Sequence, residues 1–112
     1  MAVRKLNLNI SHENNYHYLP VMFNNNMADL LEITIINGNE IIDPTPYNIL
    51  LKGDSFVSTN VSTSSNKKVL VLLTNEIINY KNKLWVELYD DSISISTFPF
   101  RLNVISRRNL ND

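Results

Sequence analysis

His12, Glu13 and His17 are the residues whose types most directly suggest chemistry, because imidazole and carboxylate together can ligate a divalent metal or move a proton. Their spacing does not support it. A zinc helix needs HExxH, whereas SHENNYH sets its histidines five apart, on a common face of neither a helix nor a strand. A solvated polar loop accounts for them better. Asp90 and Asp91 offer a carboxylate pair for acid–base work or calcium. Neighbouring residues on a hairpin point apart, and two aspartates fall far short of a calcium loop, so a turn is the better account. Arg101, Arg107 and Arg108 present either an anion contact or a charged exit from the last strand, and the exit is favoured. The chain has no cysteine, which excludes thiolate ligation, a cysteine nucleophile and a disulfide framework. Its only glycines, Gly38 and Gly53, cannot build a phosphate-cradling loop. No base–nucleophile pair remains, so a small enzyme ranks last among the functional classes, and no catalytic, cofactor-binding or metal-ligating residue is expected.

The elements that would have to carry any site come next. With 112 residues, 44% of them hydrophobic, residues 1–112 are expected to form a single domain with its own core. A net charge of −1 argues against a nucleic-acid partner, which normally requires a basic footprint. No apolar run approaches membrane-spanning length, and the polar N-terminal residues do not resemble a signal peptide. The expectation is a chain folded in a reducing cytoplasm.

Turn-forming residues recur at short intervals, separated by strand-sized apolar runs, which predicts an all-β sandwich. The predicted strands are 5–10, 19–23, 30–36, 47–52, 56–59, 68–73, 84–89, 92–96 and 98–105. Asn37-Gly38 signals a hairpin, because both residues tolerate positive φ, and Asp90-Asp91 joins two runs tightly enough to force antiparallel pairing. One short helical turn is expected near residues 74–80, with Thr74 as N-cap and Glu76 at the positive end of the dipole. The Ser/Thr/Asn-rich stretch 55–66 is predicted to be a loop or mobile hairpin.

The segment KLWVELYDDSISISTFPFRLNVIS is the most informative. Leu84, Val86 and Leu88 alternate with Trp85, Glu87 and Tyr89, and Ile93 and Ile95 alternate with serines. Near Thr97 the phase slips, since Phe98, Phe100, Leu102 and Val104 take over the apolar positions. A one-residue slip turns a strand inside out, so a bulge or a crossing between sheets is required near residues 97–99. Pro99 suits such a place, because it cannot donate to a ladder.

Two segments are too apolar for a half-solvated sheet, residues 69–73 and much of Ile33–Ile36 with Leu30-Leu31 before it. Val69-Leu70-Val71-Leu72-Leu73 is hydrophobic on both faces, so either Leu70 and Leu72 or the intervening residues must point outward. If Leu84, Val86 and Leu88 face the core, Trp85 and Tyr89 do not. A tryptophan carries about 150–250 Å² of buriable surface, worth several kcal/mol at ~25 cal/mol per Å². Leu70, Leu72, Trp85 and Tyr89 are therefore the candidate protein interface, unless loop 60–67 or the N-terminal segment covers them.

The run KKVLVLLTNEIINYKNKLWVELYDDSISISTFPFRLNV, from Lys67 to Val104, resembles the N-terminal domain family of phage baseplate upper proteins. That family shows a strand, a short helical turn, a strand ending in acidic turn residues, and an I-S-T…F-x-F-x-V finish. Here the finish is Ile95-Ser96-Thr97-Phe98-Pro99-Phe100-Arg101-Leu102-Asn103-Val104. The earlier strands fit more loosely, and the chain stops at Asp112 where such proteins usually continue into helical and receptor-binding-protein-anchoring regions. The resemblance implies an immunoglobulin-like antiparallel β-sandwich without catalytic residues. It also implies a tail or baseplate component of the virion that attaches a fibre or receptor-binding protein, as a homo-oligomer or in several symmetric copies. The alternative is an immunoglobulin-like carbohydrate-binding or adhesion module, with Trp85, Tyr89 and Tyr80 as a stacking platform.

Overall fold

A computed structural model describes residues 3–11, 19–23, 30–59, 61–64, 66–80 and 82–106. The elements in chain order are β1 (Val3–Asn9), β2 (Leu19–Phe23), β3 (Leu30–Asn37), β4 (Glu40–Ile41), β5 (Asn48–Gly53) and β6 (Phe56–Ser58). They continue with β7 (Val61–Thr63), β8 (Val69–Leu72), α1 (Asn75–Ile78), β9 (Leu84–Tyr89), β10 (Ser94–Ser96) and β11 (Leu102–Ser106). His12, Glu13, His17, Arg107 and Arg108 lie outside the described residues.

Nearly every described element is β, and two sheets enclose the core. The first sheet runs β1-β3-β8-β7 with β4 also on β3, and the second runs β10-β9-β5-β6. Each supplies the inward half of an alternating strand: Leu6, Leu8, Leu31, Ile33, Ile35, Val69 and Val71 from the first, Leu51, Leu84, Val86 and Leu88 from the second. All are buried together with Leu73, Phe100 and the Ile77–Ile78 pair of α1. The predicted phases of β1 and β9 are therefore those observed. On β8 the ambiguity resolves with Val69, Val71 and Leu73 inward and Leu70 and Leu72 outward.

Most ladders are antiparallel, as expected for a sandwich, but β1 pairs with β3 in parallel, from Val3↔Leu30 to Asn9↔Ile36. A parallel neighbour needs a long crossover, and the chain between Asn9 and Leu30, which includes β2, is long enough to supply it. β2 itself pairs in parallel with β11 as a separate two-stranded sheet.

Local signals set the connections. β3 and β4 form the predicted hairpin, with Gly38 at φ 65°. β9 and β10 pair antiparallel across Asp90-Asp91. Thr74 caps α1, its hydroxyl accepting from the Ile77 N–H. In the stretch 55–66, β6 falls within the strand predicted at 56–59, while β7 lies where a loop or mobile hairpin was expected. The two short strands pair differently, β6 with β5 in one sheet and β7 with β8 in the other, so the chain changes sheets between them. Low side-chain complexity does not prevent strand pairing when the neighbouring strands offer unpaired backbone groups.

The phase slip proves to be a bulge that also touches the other sheet. Ile95 pairs with Leu88 and Ser96 with Glu87, and the Thr97 N–H donates to the Val86 carbonyl at 2.9 Å. Phe100, not Pro99, then bridges Leu84, so Phe98 and Pro99 together oppose Trp85. Between them, the Phe98 N–H donates to the Asn9 carbonyl of the other sheet at 2.8 Å. Residues 98–101 accordingly do not form the regular strand predicted there, and β11 begins only at Leu102. Thr97 keeps the inward phase of Ile95 and is buried, so the slip falls after it.

At the slip, the Val86 N–H donates to the Thr97 hydroxyl at 3.1 Å. The side chain thus stands in for a ladder acceptor in a buried setting. Thr97→Val is expected to leave that N–H unpaired and cost about 1–3 kcal/mol in urea unfolding, whereas Thr97→Ser, which keeps the acceptor, costs less. Equal losses for the two variants would contradict this role.

Candidate functional site

The inward parity of the strands decides what each sheet shows to solvent. On the first sheet the outward residues form rows across strands. Val3, Leu30 and Leu72 stand side by side on β1, β3 and β8, and the next row holds Lys5, Glu32, Leu70 and Ser62. Val3 is 50% exposed and Leu72 43%, so this row is an apolar surface in contact with water. Beside it lies an open groove of about 550 Å³, lined by Leu30, Thr59, Val61, Ser62, Leu70, Leu72 and Thr74. Beyond the second row, Lys68 Nζ donates to Thr34 Oγ1 at 2.6 Å, placing a cation at the polar end of the face.

The second sheet presents a different chemistry. Trp85, Glu87 and Tyr89 point outward from β9, opposite Lys52, Leu50 and Asn48 of β5, with Ser94 and Ser96 of β10 alongside. Trp85 and Tyr89 are half-buried. Lys52 Nζ lies 3.6 Å from a Glu87 carboxylate oxygen, diagonal neighbours whose pairing contributes about 0.2–1 kcal/mol at a surface. Val57 of β6, opposite Lys52, adds an exposed apolar residue at the margin.

The four residues singled out from the sequence therefore separate into two pairs. Leu70 and Leu72 share the outer face of the first sheet, and Trp85 and Tyr89 share that of the second, with the core between them. They do not make one patch. Leu30 was marked in the sequence only by the excess hydrophobicity of residues 30–36, and Val3 not at all; both become neighbours of Leu72 through non-local pairing.

Tyr80 joins neither pair. Its ring packs against Phe56 with centroids 5.0 Å apart, and its hydroxyl accepts from the Ser55 N–H at 3.3 Å. It also lies over Gly53, an inward-phase residue of β5, so the sugar-stacking platform of Trp85, Tyr89 and Tyr80 is not assembled.

Acidic residues act as turn staples. The Asp90 carboxylate accepts from the Ser92 and Ile93 N–H groups at 2.7 and 2.9 Å. Asp43 accepts from the Thr45 N–H and hydroxyl at 3.0 and 2.7 Å. These bonds hold both carboxyls below the usual value of 3.8, and for Asp43 the nearby Lys67 charge adds to the effect. A folded-state pKa below the unfolded one contributes stability that is present above the unfolded value and lost as pH falls through the folded one. Stability is therefore expected to decline on acidification below that 3.8 value, and the combined Asp43→Asn, Asp90→Asn variant should show a shallower decline in thermal melts across the acid range. An unchanged acid limb in that variant would refute the assignment.

Among the described residues no three His, Cys, Asp or Glu side chains converge on a common point, and no buried side-chain polar atom lacks a partner. No helix of the described residues is long and apolar enough to cross a membrane. What the geometry offers is two flat outer faces, one apolar and grooved, the other aromatic and charged. No protein-family model matches the sequence, and no curated protein matches it at a significant level. The chain is similar in structure to the N-terminal domain of phage TP901-1 ORF48, with a TM-score of 0.74 over 93% of this chain and 98% of that one, at 11% sequence identity. At that identity the likeness is one of fold alone.

Proposed function

We propose that this chain is a structural component of a phage virion, an immunoglobulin-like tail or baseplate adaptor that holds a fibre or receptor-binding protein by protein–protein contacts. The observation that carries this reading is the fold likeness to a phage domain over nearly the full length of both chains, and the resemblance in residues 67–104 points the same way. The two outer faces support it, because a building block that joins two neighbours needs separate contact surfaces on one rigid frame. The function is non-enzymatic, with other virion proteins as partners and the assembled particle as its location.

The test has two stages. Reconstruction of purified particles is expected to place the chain at the tail end, in symmetric copies, with at least one outer face covered. Leu72→Glu and Trp85→Ser, introduced separately, are then expected to weaken the corresponding contact by about 2 kcal/mol or more, near thirtyfold in affinity, while circular dichroism stays unchanged. Both side chains point outward, so with circular dichroism unchanged, loss of incorporation reports on contact rather than folding. Particles that carry both variants at normal copy number would remove these faces from the proposal, and particles without the chain would remove the proposal itself.

A further inference from the structure

We draw no further inference here: the strongest candidate, the exposed apolar row of Val3, Leu30 and Leu72 with the groove beside it on the outer face of the first sheet, carries no proposal of its own because nothing in the structure shows what covers it.

Discussion

Phe100→Ala is expected to lower the unfolding free energy by about 3–5 kcal/mol, a large share of the roughly 5–15 kcal/mol that holds a small domain together. Among the described residues Phe100 is the largest of the fully buried side chains, 2% exposed, and it lies where the bulged segment returns to β9. Its Leu84 bridge has both backbone bonds at 2.8 Å, so the residue is fixed from backbone and side chain together. Removing the ring leaves a cavity that a backbone held on both sides collapses into poorly, which places the cost in the upper part of the range. Phe98 is the internal control. It sits in the bulge, is half-buried, and is outside the buried core, so Phe98→Ala should cost distinctly less. Urea titration of both variants measures the difference through the midpoint at constant slope. A loss at Phe100 no greater than that at Phe98 would mean that the phase of the last segment is misassigned.

Gly53→Ala carries the second large effect, for a reason invisible in its backbone. Gly53 does not have a positive φ, so conformational freedom is not its purpose. A Cβ built on it would meet the Tyr80 ring and hydroxyl at 2.5 Å. The ring must then move, giving up its contact with Phe56 and the hydrogen bond from Ser55. Overpacking of this kind costs about 1–3 kcal/mol. The cost belongs to the pair, which makes a double-mutant cycle decisive. In a Tyr80→Ala background the alanine at position 53 should be almost free, giving a coupling energy of about 1–3 kcal/mol. An equal penalty with and without the Tyr80 ring would show that Gly53 is retained for some other reason.

These two residues also mark how far local reading extends. Phe100 was legible, because the apolar phase of residues 93–104 breaks once and Pro99 stands at the break. Parity along a strand is a local property: successive side chains must point to opposite faces, so a broken alternation demands an extra residue wherever the chain folds. The same logic placed Leu84, Val86 and Leu88 inside, capped α1 with Thr74, and turned the chain at Gly38 and Asp90. The partner of Gly53 was not legible. Tyr80 lies in the segment after α1, and only the packing of that segment against the β5–β6 turn brings the ring there.

The candidate surfaces divide along the same line. Excess hydrophobicity in residues 69–73 and the outward parity of Trp85 and Tyr89 were enough to name exposed apolar groups. They were not enough to say that the leucines and the aromatics lie on opposite sides of the molecule, or that Val3 and Leu30 extend the leucine row. By itself, the sequence determined an all-β chain, the inward phase of its clearest strands and the bulge that resets the last one, because alternation and turn chemistry act between near neighbours. Only the tertiary structure decided the β8 phase, the parallel pairing of β1 with β3, the assignment of β6 and β7 to different sheets, and the composition of each outer face. Those depend on which distant strands lie side by side, and that choice is made by the packing of the whole core rather than by any one segment.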